Sequence, residues 1–136
     1  MSESSLKVLL VEDDENDVIF LRRAVSRLRL PWALDVARDG EEALERLNGE
    51  EAPTHVILDL KIPRRTGLEL LAFLRANSSK RGTRAIILTS SKEQSDLSAA
   101  AGLGFDRYLT KPVAFADFIA LVEDMARAWG FPPDGP

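Results

Sequence analysis

Residues 54–67 read THVILDLKIPRRTG, an apolar run that ends in a carboxylate and then in a turn. The unbroken apolar residues 56–58 are typical of a strand that is buried on both faces of a parallel sheet. Pro63 and Gly67 follow shortly afterwards, and such residues mark a turn before the next element. Asp59 therefore stands where a rigid strand stops, either as a cap for the turn or as a single presented carboxylate.

Short runs of the same kind alternate with amphipathic segments along the whole chain. The predicted strands cover residues 6–11, 32–37, 54–59, 84–89 and 105–110, and the predicted helices 15–29, 41–48, 67–77, 92–103 and 114–129. Strictly alternating strands and helices predict a parallel sheet with helices on both faces. Right-handed crossovers leave few topologies, and the simplest is the flavodoxin-like order 2-1-3-4-5. The predicted fold is thus a doubly wound α/β sheet with five βα units.

Length and composition limit the function classes. The chain has 136 residues, which fits one domain, and 45% of them are hydrophobic and 29% charged, the balance of a globular protein with a real core. It has no cysteine and a single histidine, His55, so thiolate metal sites and an all-histidine zinc site are excluded. A net charge of −4 without a basic stripe argues against nucleic-acid or membrane-surface binding. A cytoplasmic protein is expected, since the first apolar run is too short for a signal peptide or a membrane span.

The domain is expected to occupy residues 6–129, with an N-terminal tail over 1–5 and a C-terminal tail over 130–136. No output domain is expected, so a signal would leave through protein contacts. Trp129 has two interpretations: it closes the core, or together with the apolar tail it extends an interface.

Chemically useful residues collect at the carboxyl ends of the predicted strands, where ligands bind in open parallel sheets. Glu12 and Asp13 follow the first strand, and Asp59 follows the third. Thr89 ends the fourth strand, and Lys111 comes just after the fifth. Each alone has an ordinary structural interpretation, as a turn cap, a strand residue or a solvated surface charge. Their convergence on one edge of the sheet favours a functional site.

The chemistry of this set suits a phosphoryl group. At 4 Å and an effective dielectric near 20, two like charges repel by about 4 kcal/mol, so a carboxylate cluster persists by holding a cation or by raising a pKa. Ligands that are all oxygen favour Mg²⁺. A divalent ion, a hydroxyl and an ammonium together neutralise phosphoryl oxygens. Asp59 can then act as a nucleophile that forms an acyl phosphate.

With LLVEDD, DLKIPRRTG, ILTSS and YLTKP in these positions, the chain resembles the receiver domain of two-component response regulators over about residues 6–128. The resemblance implies that Asp59 is the phosphoacceptor for a sensor histidine kinase. It also implies that Mg²⁺ is bound by Glu12, Asp13, Asp59 and the backbone carbonyl of Lys61. A protein of this kind is not an enzyme in the ordinary sense, although it assists its own phosphorylation and dephosphorylation.

The same resemblance assigns roles at the far side of the edge. It implies that Thr89 is a switch hydroxyl, that Lys111 contacts the phosphoryl group, and that Tyr108 is the aromatic switch residue. It also implies a cis peptide bond between Lys111 and Pro112. The signalling surface would be the fourth helix, fifth strand and fifth helix, a face through which such domains also form homodimers.

Looser features resemble the single-domain regulators that partner bacterial phytochromes. These features are KIPR–TG, the doubled hydroxyl after ILT, NSSKRGTR, and a last helix that ends W-x-F-P-P. They imply a bacteriophytochrome as the candidate kinase and an unidentified downstream protein or phosphotransfer protein as the recipient. Lys61 departs from the common family pattern and places a positive side chain beside Asp59, and Val113 stands where phenylalanine is common.

Several alternatives remain at this point. One is a phosphate sink or a relay intermediate, and another is a pseudo-receiver that binds partners without phosphorylation. A haloacid-dehalogenase-type phosphatase would need a second aspartate where Lys61 stands. A flavodoxin would need a phosphate loop after the first strand, and the acidic EDDEND sequence there would repel a phosphate.

Overall fold

The computed structural model of the protein describes residues 6–64, 66–90 and 92–131. The predicted N-terminal tail and most of the predicted C-terminal tail lie outside these residues. The strands are β1 (Leu6–Val11), β2 (Trp32–Ala37), β3 (His55–Leu58), β4 (Arg84–Thr89) and β5 (Arg107–Thr110). The helices are α1 (Glu15–Arg27), α2 (Gly40–Leu47), α3 (Gly67–Ala76), α4 (Gln94–Leu103) and α5 (Phe115–Ala128).

All neighbouring strands are parallel, and their order is β2-β1-β3-β4-β5. The predicted flavodoxin-like topology is therefore confirmed. The register aligns the ends of the two central strands, because Val11 of β1 pairs with Leu58 of β3. One more bond continues the ladder, from the Asp59 N–H to the Val11 carbonyl at 3.2 Å. The residues that follow β1 and β3 thus leave the sheet side by side.

Each face of the sheet has its own hydrophobic core. Helices α1 and α5 cover one face, where the fully buried Leu21 and Phe118 pack over the central strands. Helices α2, α3 and α4 cover the other face, around Leu47 and Leu74. Burying a side chain of this size contributes roughly 1.5–3 kcal/mol relative to exposure, so the two cores fix the sheet on which the site is built.

Polar caps fix where three helices begin. Asp14 caps α1 by accepting bonds from the N–H groups of Asn16 at 2.9 Å and Asp17 at 3.2 Å. Asp39 caps α2 in the same way. Thr66 and Glu69 form a reciprocal capping box at the start of α3. Such caps satisfy backbone donors that the first turn leaves free, so the loops at the carboxyl edge have defined exits.

Helix α4 is anchored differently from the other helices. It has no side-chain N-cap, and Ala100 is its one buried residue among those described. Its C-terminal end is held from α3, because the guanidinium of Arg75 donates to the carbonyls of Leu103 at 3.2 Å and Gly104 at 3.1 Å. Polar contacts from a neighbouring helix therefore replace much of the apolar burial that the other helices have.

The predicted element bounds were correct to within about two residues; α1, α4 and β5 each differ by two residues at one end, and the end of α1 has a clear physical reason. This helix ends at Arg27 with Leu28 as its C-cap, two residues earlier than predicted. Arg29 has a φ of 55°, so the chain leaves the helix in a left-handed conformation before Pro31. A residue that precedes proline avoids the helical region, which explains why the helix does not continue up to the proline.

Trp129 closes the core at the amino end of the sheet. Its side chain is buried, and its ring centroid lies 5.3 Å from that of Trp32 and 4.6 Å from that of His55. Its indole N–H donates to Asp106 Oδ2 at 2.9 Å. Phe131 continues this cluster, 6.3 Å from Trp32. Of the two interpretations of Trp129, the structure supports the core.

Because His55 is packed against Trp129, the stability of the protein should depend on pH near neutrality. Burial lowers the pKa of His55, the nearby Arg84 lowers it further, and Asp106 opposes this. The folded state therefore favours the neutral ring. The stability that this ring contributes is fully present above the unfolded-state pKa of about 6.5, and it is lost as the pH falls below that value.

We expect urea unfolding to show that His55→Gln loses less stability than the natural protein between pH 7.5 and pH 5. The chain has no other histidine, so any difference between the two profiles reports this ring. Parallel profiles would contradict the expectation.

Candidate functional site

Three carboxylates meet where β1 and β3 end. Ligand oxygens of Glu12, Asp13 and Asp59 all lie within 4.8 Å of one another. Glu12 is 1% exposed and Asp59 4% exposed, whereas Asp13 faces solvent. The cluster is thus a pocket with a buried floor and one exposed acidic wall, open to a ligand from solution.

A single ammonium holds this pocket together. Lys111 Nζ lies 2.6 Å from Asp59 Oδ2, 2.8 Å from Glu12 Oε1 and 2.9 Å from Asp17 Oδ2. Its side chain is 12% exposed, and its backbone N–H donates to the Thr89 carbonyl at 3.0 Å. The fifth strand therefore carries Lys111 to the pocket that the two central strands create.

Backbone donors orient the two buried carboxylates. The Lys61 N–H donates to Asp59 Oδ1 at 3.0 Å, and the Asp14 N–H donates to Glu12 Oε2 at 3.1 Å. Each carboxylate thus has one oxygen on the backbone and the other beside Lys111. Charged acceptors and donors make the stronger hydrogen bonds in proteins, so this arrangement is rigid.

Among the described residues the charges in the pocket do not balance, because Lys111 is paired with three carboxylates and Asp13 adds a fourth to the cluster. The pKa of Glu12 is raised to about 7, because burial and the Asp59 charge together outweigh the contact with Lys111 and the hydrogen bond from the Asp14 backbone. Burial alone would lower the pKa of Lys111, but its close contacts with Asp59, Glu12 and Asp17 outweigh burial and raise it. Lys111 is therefore a permanent cation. Negative charge remains in excess in the pocket, so a further cation would be favourable there.

The residues present fit a divalent metal ion. Every candidate ligand is a hard oxygen, the type that Mg²⁺ and Mn²⁺ prefer. Glu12 Oε1 is buried, and although it lies beside Lys111 it receives no hydrogen bond of good geometry. A cation at this point would satisfy that oxygen and offset the repulsion among the acids. The backbone carbonyl of Lys61 as a further ligand stays a prediction.

Thr89 and Tyr108 lie on the sheet face that α4 covers. Thr89 is fully buried at the end of β4 and pairs in register with Thr110. Tyr108 pairs with Ile87, two residues before Thr89, so the three side chains share one face of the pleat. The Tyr108 ring is half-buried, 5.7 Å from the ring of Phe105. Their predicted switch roles stay predictions.

The side chain of Lys61 is directed toward α4. Its ammonium lies 3.4 Å from Asp96 Oδ2 and 3.5 Å from Glu93 Oε1, at the beginning of that helix. Exposed pairs of this kind are worth about 0–1 kcal/mol each. They nevertheless connect the loop that follows the candidate phosphoacceptor to the helix with the least core burial.

Two further findings differ from the sequence interpretation. The peptide bond between Lys111 and Pro112 is trans, so the expected cis bond was wrong. Trans is the ordinary form of an X–Pro bond, lower in free energy by about 0.5–1 kcal/mol. Asp17 was missed altogether. It lies one turn before the buried Leu21, so an acid on the sheet-facing stripe of α1 was the available signal.

Comparison with known proteins accounts for this arrangement. Residues 8–123 match the model of the response regulator receiver domain. The chain belongs to the response regulator receiver family. Receiver domains are signalling proteins rather than classical enzymes. Within the described residues, the receiver domain contains no helix long and apolar enough to cross a membrane.

Relatives of this receiver domain come from different signalling systems. The probable methanogenesis regulatory protein FilR2 of Methanothrix harundinacea is 32% identical over 133 residues, covering 94% of this chain and 86% of FilR2. The phosphorylated cyanobacterial phytochrome response regulator RcpA is 25% identical, with a TM-score of 0.85 over 93% of this chain and 94% of RcpA. The bacteriophytochrome response regulator RtBRR is 36% identical, with a TM-score of 0.74 over 90% of this chain and 78% of RtBRR.

One solved relative bears on the metal. Response regulator Rcp1, from Synechocystis, has been solved in a Mn²⁺-bound form. It is 28% identical to this receiver domain, with a TM-score of 0.83 over 91% of this chain and 94% of that chain. The acidic pocket and this relative together support a divalent cation at the site.

Gly67 allows the loop after Asp59 to close, which makes it a test of the geometry of the site. A Cβ at this position would lie 2.3 Å from the Asp59 carbonyl oxygen and 2.9 Å from Leu60 Cα. Both are backbone atoms, so Gly67→Ala must displace the loop, and we expect it to destabilise the protein by roughly 1–3 kcal/mol in urea unfolding. It should also weaken divalent-cation binding measured by calorimetry.

Gly102→Ala is the matched control for this substitution. A Cβ at Gly102, in α4, meets nothing within 4 Å, and an alanine within a helix is favoured over glycine by roughly 0.5–1 kcal/mol. This variant should be unchanged or slightly more stable, with unchanged cation affinity. Equal stability of Gly67→Ala and the natural protein would contradict the close approach.

Proposed function

We propose that the protein is a single-domain response regulator whose Asp59 accepts a phosphoryl group from a sensor histidine kinase in the presence of Mg²⁺. The observation that carries this proposal is the Lys111 ammonium 2.6 Å from Asp59 Oδ2, beside three clustered carboxylates. In this pocket the ion would be held by Glu12, Asp13, Asp59 and the carbonyl of Lys61. When bound, the ion supplies positive charge that neutralises the phosphoryl oxygens.

The reaction is a displacement at phosphorus. One carboxylate oxygen of Asp59 forms a bond to the phosphorus atom while the bond from phosphorus to the kinase imidazole nitrogen breaks. The imidazole, which carries a proton on its other ring nitrogen, keeps the electron pair and leaves as neutral histidine. Lys111 donates a hydrogen bond to a phosphoryl oxygen, and the rigid backbone bonds to Asp59 hold the nucleophile in place. Attack by water on the acyl phosphate later restores Asp59 and releases phosphate. The same pocket would assist both phosphorylation and dephosphorylation.

Phosphorylation would act as a switch through charge. It converts a carboxylate into a group of about −2 charge with three strong acceptors, within reach of Lys111 and Thr89. Inverting a 1:99 equilibrium requires about 5.5 kcal/mol, and charge-assisted hydrogen bonds contribute roughly 1.5–3 kcal/mol each. Two or three new bonds are therefore sufficient. Inward movement of Thr89 would make room for Tyr108 on the same face of the sheet.

The output surface would be α4, β5 and α5. Support comes from the way α4 is held, mainly by hydrogen bonds from Arg75 and ion pairs with Lys61. Breaking and remaking such polar contacts costs less free energy than exposing a buried apolar face. This surface would bind a downstream protein, a phosphotransfer protein or a second copy of the chain. A phosphate sink would use the same chemistry and differ only in the recipient. A pseudo-receiver is disfavoured, because the charged set of Glu12, Asp13, Asp59 and Lys111 is complete.

The proposed kinase is a bacteriophytochrome. RcpA and RtBRR, which are regulators of phytochrome systems by name, match this chain over at least nine-tenths of its length. We also propose that residues 6–129 form the receiver unit, with 1–5 and 130–136 as extensions, and that the protein acts in the cytoplasm.

Asp59→Asn tests the proposed phosphoacceptor. With Mg²⁺ and acetyl phosphate, the natural protein should gain one phosphoryl group in intact-mass spectrometry, and the Asp59→Asn protein should gain none, since an amide is a poor nucleophile. Asp124→Asn, at a half-buried aspartate on α5 that is paired with Arg107, should be labelled normally. Mg²⁺-dependent labelling of Asp59→Asn would refute the assignment.

Lys111→Ala should separate labelling from switching. Asp59 can still be labelled, although more slowly, but the ammonium that would draw the phosphoryl group into the new contacts is missing. Tyr108 is the only tyrosine of the chain, so its ring gives one resolved NMR signal in protein with labelled tyrosine. That signal should shift on phosphorylation of the natural protein and stay in place for Lys111→Ala. An equal shift in both proteins would contradict the coupling.

A further inference from the structure

We propose that Asp17 is a positioning residue, one that keeps the Lys111 ammonium at the phosphoacceptor when a divalent cation occupies the acidic pocket. This inference rests on the proposed function, and it assigns a role to a residue outside the predicted site. Asp17 acts through Lys111 and contacts neither the phosphoryl group nor the metal.

The contacts of Lys111 divide into two kinds. An ammonium has three N–H donors, and three carboxylates surround this one, at 2.6 Å, 2.8 Å and 2.9 Å. Two of them, Asp59 and Glu12, belong to the cluster that fits a metal ion. Asp17 does not belong to that cluster. Among the described residues, it is therefore the partner of Lys111 that lies outside the cation's own ligands.

A cation in the pocket would change the other two contacts. It would share the oxygens of Glu12 and Asp59 with Lys111, and it would repel the ammonium because both are positive. Phosphoryl transfer is fastest when the ammonium and the metal act on the same phosphoryl group. A carboxylate that binds Lys111 from outside the metal cluster resolves this conflict, since it offsets the repulsion without competing for the ion.

Asp17 is placed to do this rigidly. It lies in the first turn of α1, where its N–H donates to the capping side chain of Asp14 at 3.2 Å. The next residue, Val18, is buried in the core, which fixes the orientation of this turn. The side chain of Asp17 is 17% exposed, so its charge is poorly screened by solvent.

Asp17→Asn tests the proposal, because it removes the charge while keeping the size. We expect the rate of Mg²⁺-dependent labelling by acetyl phosphate to fall roughly 10-fold, the loss of one charge-assisted hydrogen bond of ordinary strength. In the Lys111→Ala background, the same substitution should change the rate less than about twofold, because a double-mutant cycle isolates effects that pass through the partner. Asp17→Glu should recover part of the rate.

Glu15→Gln is the matched control. Glu15 is an acid of the same helical turn, 63% exposed and paired with Arg38, so the variant removes an equal charge without touching Lys111. Its labelling rate should match that of the natural protein. An equal loss in Glu15→Gln, or an equal effect of Asp17→Asn in both backgrounds, would overturn the proposal.

A second measurement needs no phosphoryl transfer. In protein with ¹⁵N-labelled lysine, an ammonium held by ion pairs gives an NMR signal of its own, which Lys111→Ala assigns by its loss. With saturating Mg²⁺, this signal should persist in the natural protein and in Glu15→Gln and disappear in Asp17→Asn. Its persistence in Asp17→Asn, or its absence from the Mg²⁺-loaded natural protein, overturns the proposal. If the natural protein is not labelled but the signal behaves as expected, the proposed function fails and the role of Asp17 stands.

Discussion

The ion cluster around Lys111 is the interaction on which the rest of the site depends. One ammonium holds three carboxylates that come from the end of β1, the first turn of α1 and the end of β3. Removing such charges from water costs several kcal/mol per ion, and their mutual attraction recovers this only when the geometry is good. The geometry is good here, but the carboxylates outnumber the ammonium. The pKa of Glu12 is raised mainly by burial, and the Asp59 charge adds to this. A pocket that is stable yet short of positive charge is well suited to attract a divalent cation.

The fold supplies this geometry through parallel register rather than through local sequence. Pairing of Val11 with Leu58 places the ends of β1 and β3 together, and the bond from the Lys111 N–H to the Thr89 carbonyl continues the ladder beyond β4 and β5. The caps at Asp14 and Asp39 then turn the chain away from the sheet at fixed points. Acids that look alike in the sequence thus have different roles: Asp13 lines the pocket, whereas Asp14 caps a helix.

The helices of this receiver domain are held on the sheet in different ways, and the difference bears on the acidic pocket. Helices α1 and α5 bury broad apolar stripes, whereas α4 buries Ala100 and relies on Arg75 at one end and Lys61 near the other. Lys61 also donates its backbone N–H to Asp59, so one residue contacts both the Asp59 carboxylate and the helix with the least core burial. A change of charge at Asp59 therefore has a short physical route to α4, through contacts that are individually weak.

The sequence by itself determined the order of elements, the parallel sheet and the edge where the site lies. Buried strands read as continuous apolar runs, and helix stripes repeat every three or four residues, so local pattern carries this information. Glu12, Asp13, Asp59 and Lys111, which the structure brings together, were candidates because each lies at a strand end, a position that the sequence marks. The role of Thr89, at the end of β4, stays a prediction.

Only the tertiary structure decided which of these groups touch. Asp17 joins the site because the packing of α1 on the sheet turns its first-turn acid toward Lys111, a contact between residues far apart in the sequence. The ring contacts of Trp129 with Trp32 and His55 likewise decided between a core and an interface. Such contacts depend on how closely helices and strands approach one another in space. The spacing of residues along the chain does not contain the distances between side chains of different elements.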